Sequence, residues 1–173
     1  MRKLFLFAFF FVVSLGSLRA QDSTARFGFG YTLGTGGGVT SGWTTHNWRA
    51  EATLGVTYTP ASSYTSESAT VGIGFFWLNQ IENNLFLVYG PKVLVYGYKY
   101  SQTSGGYSYY LTTLLLQVGP EYLLNRHFSV GFAVSPSVSF HGNYHSDAGY
   151  SYLSGGYGPS YSLGGNISGR YFF

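Results

Sequence analysis

The sequence contains no cysteine, only five prolines and one methionine, and only 9% of its residues are charged. Without cysteine, no disulfide staples the fold and no lipid can be attached at a processed N-terminal cysteine. The scarcity of charge excludes more. Soluble domains carry about a quarter charged residues, so this chain cannot cover itself with an aqueous surface. Three of the nine cations, Arg2, Lys3 and Arg19, fall in the first twenty residues, and beyond them six basic side chains face six acids. That remainder is formally neutral and offers no basic patch for nucleic acid. It also lacks an apolar run long enough to cross a bilayer as a helix.

The first twenty residues have their own pattern. Arg2 and Lys3 precede the apolar run Leu4 to Leu15, and Ala20 stands before Gln21. This is the layout of a secretory signal peptide, expected to span residues 1–20. Leu18 departs from it, because the cleavage site prefers a smaller residue there. Residues 21–173 then make one domain, rich in tyrosine (17 in the whole chain), phenylalanine (15) and glycine (25).

Alternation explains that mixture. Phe27, Phe29, Tyr31 and Leu33 share one parity against Arg26, Gly28, Gly30 and Thr32. Trp48, Ala50, Ala52, Leu54, Val56 and Tyr58 oppose Arg49, Glu51, Thr53, Gly55 and Thr57. Ala69 to Trp77 repeats the pattern, with Phe76 an apolar residue on the polar side. Phe128 to Phe140 and Tyr161 to Phe173 are the clearest cases. A period of two is the signature of β-strands, and about nine to eleven residues cross a membrane when tilted.

Leu85 to Tyr100 and Tyr107 to Leu123 carry apolar residues on both faces. An Arg or Lys facing lipid near mid-bilayer costs about 2–4 kcal/mol, so Lys92, Gln117 and Glu121 are expected to point inward. Leu87, Tyr89, Pro91, Val93 and Val95 then face lipid, as do Tyr110, Leu114, Leu116, Val118, Pro120 and Tyr122. Both segments exceed one crossing. Their tyrosine-rich ends, Tyr96, Tyr98, Tyr100, Tyr107, Tyr109 and Tyr110, are expected to project beyond the membrane as a hairpin closed at Ser104, Gly105 and Gly106. These strands number seven, whereas bacterial single-chain barrels have an even number. Short turns at one end place the eighth at about Gly36 to Thr45, turning at His46 and Asn47. His141 to Gly158 becomes the last outer loop. The expected fold is an all-β, transmembrane, antiparallel up-and-down barrel of eight strands.

Two stretches resemble a known family. The last eight residues, Asn166, Ile167, Ser168, Gly169, Arg170, Tyr171, Phe172 and Phe173, resemble the terminal insertion signal of small outer-membrane β-barrels. Ser168 replaces that signal's glycine, and Gly169 sits one place late. Gly119 to Asn125, reading Gly-Pro-Glu-Tyr-Leu-Leu-Asn, looks like the family's periplasmic hairpins. The resemblance is to the eight-stranded outer-membrane β-barrel domain of Bacteroidota-type bacteria, related in shape to outer membrane proteins A and X. It implies export to a Gram-negative outer membrane and recognition by the barrel assembly machinery through Asn166, Gly169, Tyr171 and Phe173. It also implies contact with outer-membrane lipid and lipopolysaccharide, and a monomeric state.

An eight-stranded barrel has an interior just wide enough for its own side chains. Arg26, Arg49, Glu51, Lys92, Gln117, Glu121 and Arg170 are therefore expected to fill the lumen as a paired polar plug. The competing reading is a narrow solute path through the same cluster. His141, His145, Ser146 and Asp147 contain the residue types of nucleophilic catalysis, as in lipid A-modifying barrels. Adjacent loop residues rarely present a triad geometry, so no enzymatic activity and no cofactor are expected. Tyr64, Tyr98, Tyr100, Tyr107, Tyr144, Tyr150, Tyr152 and Tyr157 suit either a membrane-interface girdle or an adaptable outer contact surface. The favoured function is a structural or surface-interaction role in adhesion or envelope integrity. A soluble ligand-binding barrel would share the period and invert the faces.

Overall fold

The computed structural model describes residues 25–35, 37–61, 64–102, 105–146, 151–152 and 159–173, with backbone alone at 141, 143–146 and 151–152. The expected leader, residues 1–20, lies outside the described residues.

Eight strands form the wall. They are β1 (Arg26–Gly34), β2 (Gly38–Thr44), β3 (Trp48–Pro60), β4 (Tyr64–Glu82), β5 (Leu85–Gln102), β6 (Gly105–Asn125), β7 (Phe128–Ser146) and β9 (Ser160–Phe172). Each pairs antiparallel with its neighbours, and β9 lies between β7 and β1, so the sheet closes on itself. A two-residue strand, β8 (Ser151–Tyr152), pairs with β7 at Tyr144 and His145. Closure leaves the barrel wall no edge to template association.

Register fixes which face each side chain takes, because a slip of one residue would exchange lumen and exterior. Phe29, Tyr31, Leu33, Val71, Ile73, Phe75, Trp77, Leu114, Leu116, Val118, Phe132, Val134, Leu163 and Ile167 are exposed on the outside. Arg49, Glu51, Thr53, Lys92, Gln117, Glu121, Ser135, Asn166 and Arg170 are buried inside. This is the reverse of a water-soluble barrel. A band of large side chains left exposed in water would forfeit up to about 1.5–3 kcal/mol each, and hydrocarbon removes that cost.

The two ends differ. Thr45 to Asn47, Asn83–Asn84 and Arg126–His127 connect strands tightly at the end that also holds Phe173. Each turn has a local reason. The Thr45 hydroxyl accepts from Asn47 N–H (3.3 Å) and Trp48 N–H (3.1 Å). The Asn125 side chain accepts from His127 N–H (2.8 Å) and Phe128 N–H (2.9 Å), an Asx turn. Asn84 adopts φ 67°, the left-handed region that asparagine tolerates in two-residue hairpins.

At the other end, β4, β5, β6 and β7 run to 19, 18, 21 and 19 residues, far beyond one crossing. Several sequence-based boundaries change, at both ends of the barrel. β4 starts at Tyr64 and ends at Glu82, so the link expected at Asn79 to Asn84 is only Asn83–Asn84. β7 continues to Ser146, taking in the first six residues of the expected loop His141 to Gly158. Gly105 and Gly106 belong to β6 rather than to the turn. The expected second strand is present at Gly38–Thr44.

Candidate functional site: the closed lumen and the projecting tyrosine face

Inward positions of β3, β5, β6 and β9 converge on one ionic network. Glu121 receives both terminal nitrogens of Arg49 at 2.8 Å, the Ser129 hydroxyl at 2.7 Å and Arg170 Nη1 at 3.1 Å. Glu51 receives Lys92 Nζ at 3.2 Å on one oxygen and Arg170 Nε and Nη2 at 3.2 and 3.0 Å on the other. Arg170 thus bridges the two carboxylates and also donates to Ser168 Oγ at 2.7 Å, while Arg49 Nε donates to Thr44 Oγ1 at 3.0 Å. Every charged member is at most 5% exposed. Bidentate, charge-assisted bonds of this kind are the strong ones, and they join β2, β3, β5, β6, β7 and β9 across the lumen.

Small residues make room for it. A Cβ at Gly30 would lie 2.7 Å from Arg170 Cγ and 2.6 Å from the Gly169 carbonyl oxygen. Toward the short-turn end, Phe76, Leu78, Val88 and Phe172 are buried beneath the network, and the Arg49 guanidinium carbon sits 5.9 Å from the centre of the Phe172 ring. Below them a cavity of about 470 Å³ opens at that end, its lining including Arg26, His46, Phe86 and Leu123.

Of the sequence-predicted lumen residues, Arg49, Glu51, Lys92, Glu121 and Arg170 come together. Gln117 is buried on the same face without a hydrogen bond to the network. Arg26 is a correction: it is exposed at the rim and donates from Nη1 to the Arg126 carbonyl oxygen at 2.8 Å. Its parity is inward, but it is the first residue of β1 and lies beyond the closed section. Ser129, Ser168 and Thr44 complete the network; Ser129 and Thr44 read in the sequence as ordinary polar alternation, and Ser168 was singled out only as a departure from the terminal insertion signal. Phe76 and Phe172 had a signal, since each is a large apolar residue on the polar parity.

The exterior has an aromatic girdle at the short-turn end. Phe27 contacts Trp43 (ring centroids 5.0 Å apart), Trp48 stacks on Phe75 (5.8 Å), and Trp77 stacks on Tyr89 (5.8 Å). Tyr171 and Phe173, from the expected terminal insertion signal, meet edge to face at 5.2 Å, and His127 stacks on Tyr171. Gly169 is outward on the same strand, whereas Asn166 is buried and donates to Ser135 Oγ at 3.1 Å.

The far end is different. In register, Ala69, Gly97 and Tyr110 form the last apolar row of the outer face on β4, β5 and β6, and Glu67, Lys99 and Ser108 form the first polar row. From Tyr96, just inside that line, outward, the remaining hairpin tyrosines take the opposite, lumen-side face. Tyr98 contacts Tyr109 (5.2 Å) and Tyr107 (5.9 Å), Tyr100 stacks on Tyr107 (5.2 Å) and Tyr64 (5.4 Å), and Tyr96 joins through Tyr98 (6.4 Å). Burial and the neighbouring Tyr96, Tyr98 and Tyr107 push the Tyr109 hydroxyl above its ordinary pKa. Tyr110 alone of the hairpin tyrosines faces outward and belongs to the apolar belt. Of the other loop tyrosines, Tyr144 and Tyr152 are described by backbone only, and Tyr150 and Tyr157 lie outside the described residues, as does Asp147.

No family model and no curated protein matches the chain. Among solved structures, it is similar to a major outer membrane protein from Thermus thermophilus, with TM-score 0.57 and 13% identity over 86% of this chain and 99% of that one. The chain folds as a membrane-spanning eight-stranded barrel. The attachment invasion locus protein Ail of Yersinia pestis aligns at TM-score 0.48 and 13% identity over 86% of this chain and 95% of its own. The translocator domain of the autotransporter NalP from Neisseria meningitidis aligns at 0.49 and 12% identity, over 96% and 93%.

In this barrel the network occupies the section below the projecting strands. Above it the inward residues are mainly hydroxyl and amide side chains. Thr113 and Ser139 share a 2.8 Å hydrogen bond, while Thr32 Oγ1, Thr53 Oγ1 and Asn166 Oδ1 are buried without a partner.

Proposed function

We propose that the protein is exported to a bacterial outer membrane and acts at the cell surface, with its lumen serving as a structural plug. The observation that carries this reading is the buried Lys92–Glu51–Arg170–Glu121–Arg49 network crossing the barrel. Opening a path would mean separating several charges already removed from water, each at a cost of several kcal/mol. The working surface is then the part of β4 to β7 that rises above the apolar belt. In this orientation the short turns and Phe173 are periplasmic, and lipid and lipopolysaccharide surround the belt.

The reading is of a monomer assembled by the barrel machinery, in a cell envelope of the Bacteroidota type, with no catalytic role. Lipid A from expressing cells is expected to be unchanged. The direct test exploits the register of β5 and β6. Tyr98 pairs with Tyr109, so replacing residues 99–108 by Asn-Gly shortens the hairpin without shifting either strand. Insertion should persist, while attachment of expressing cells to solid and cell-coated surfaces should fall. Attachment unchanged by the deletion would overturn the surface role.

A narrow pore is the second reading. It is favoured by the cavity of about 470 Å³ below the network and by the unpartnered lumen atoms of Thr32, Thr53 and Asn166 above it. Planar-bilayer recordings distinguish the two. The plug predicts no sustained conductance in the wild type, and a steady open level that changes in Glu51→Gln would favour the pore.

A further inference from the structure

The projecting tyrosines pose a chemical question that a membrane girdle does not answer. Girdle rings face lipid, yet these rings stand on the lumen-side face, at or beyond the level where the outer face becomes Glu67, Lys99 and Ser108. Successive inner-face rows read Ser68–Tyr98–Tyr109, Ser66–Tyr100–Tyr107 and Tyr64–Gln102–Gly105 across β4, β5 and β6. Two columns rich in tyrosine therefore run beside a column that begins with serine hydroxyls. The three rows rise over about 13 Å at the spacing of alternate strand residues.

Tyr100 stacks at 25° on Tyr107 and at 26° on Tyr64, while Tyr98 is tilted by 33° from Tyr109 and 37° from Tyr107; Tyr98, Tyr100, Tyr107 and Tyr109 are half-buried and Tyr64 is exposed. No residue in these rows carries a formal charge. Lys99 and Glu67 are paired in register on the opposite face.

Resting on the surface-role reading above, we infer that this face is a binding platform for a neutral glycan. The negative π-face of an aromatic ring attracts the weakly positive C–H face of a sugar ring, as it attracts the positive edge of another aromatic. Tyrosine adds a hydroxyl to the same side chain, and Ser66 and Ser68 supply more beside it, so a ligand dense in hydroxyls finds both stacking and hydrogen bonds. Other ligand chemistries fit less well. Nucleic acid and anionic polymers need a row of Lys or Arg, which these rows lack. A proline-rich segment would use the aromatic groove but presents carbonyl acceptors alone, leaving half of the hydroxyl chemistry unused.

The test uses the full-length barrel in a detergent without sugar headgroups, applied to an array of neutral oligosaccharides (α- and β-glucans, mannans), anionic oligosaccharides and proline-rich peptides. Tyr98→Ala, Tyr100→Ala and Tyr98→Phe are compared, each first shown to keep the folded gel mobility. Binding to neutral glycans is expected, reduced about tenfold by either alanine variant and largely retained by Tyr98→Phe. Binding confined to anionic glycans or proline-rich peptides, or no binding by the folded wild type, overturns the proposal. Attachment of cells expressing the same variants separates the two claims. Attachment that depends on the hairpin, with a blank glycan array, removes the glycan and leaves the surface role. Loss of both results removes both.

Discussion

Replacing Glu121 by alanine should be among the most damaging single changes in the barrel. Its carboxylate accepts four hydrogen bonds, two from Arg49 at 2.8 Å and one each from Arg170 and Ser129 at 3.1 and 2.7 Å. The network holds three cations and two carboxylates, so the substitution leaves three cations facing Glu51 alone. Removing one partner of a buried pair costs about 3–5 kcal/mol, because the other charge stays desolvated. An exposed pair is worth only about 0–1 kcal/mol. Glu121→Gln keeps the volume and one acceptor and should lose less, about 2–3 kcal/mol. The combination Arg49→Met with Glu121→Leu should recover much of the loss, since apolar replacement of a buried pair is often neutral. Urea unfolding in lipid vesicles, followed by fluorescence of Trp43, Trp48 and Trp77 on the outer face, reads all three variants. A loss below about 1 kcal/mol for Glu121→Ala would refute the reasoning, because it would mean the network is solvated.

Three further outcomes follow from the same geometry. Ile73→Arg places a cation in the middle of the lipid-facing belt and should cost about 2–4 kcal/mol in the same unfolding assay; no loss there would mean that this face meets water. Gly30→Val drives a side chain against Arg170 Cγ and the Gly169 carbonyl, so the heat-sensitive folded band should shrink in cell extracts, and a normal band would show that the lumen has slack. Phe173→Ala removes a ring that meets Tyr171 at 5.2 Å and Phe29 at 6.0 Å. It should lower the amount inserted in cells while refolding into detergent stays near normal. Equal loss in both would assign Phe173 to stability rather than to recognition.

The membrane-crossing part of the fold was legible because its two environments are chemically opposite. Alternation at Phe128 to Phe140 and the mid-strand cation Lys92 were enough to orient their strands, since a lipid-facing error would be expensive. The projecting parts were not legible. Tyr64 to Ser68 is polar or aromatic on both faces, so no solvent contrast imprints a period, and β4 and β7 came out longer than their apolar patterns. The tyrosines were ambiguous for the same reason: a phenol ring suits a lipid interface and a wet binding face equally, and although Tyr98 has the parity of Lys92, only the unbroken course of β5 carries that face beyond the apolar belt. For the network, the inward set followed from parity. Which charges meet depends on strand order and stagger around the ring, which brings Arg170 of the last strand between Glu51 and Glu121. Arg26 was misplaced because parity carries no information about depth.

The most direct test of the account is gel mobility of the protein from the outer-membrane fraction, compared before and after boiling. A closed membrane barrel stays folded in detergent until heated, so unboiled protein should migrate as a distinct band that boiling converts to the unfolded position. A single band under both conditions, with the protein recovered in the soluble periplasmic fraction, would contradict the membrane-spanning assignment and reverse the faces on which the ionic plug depends.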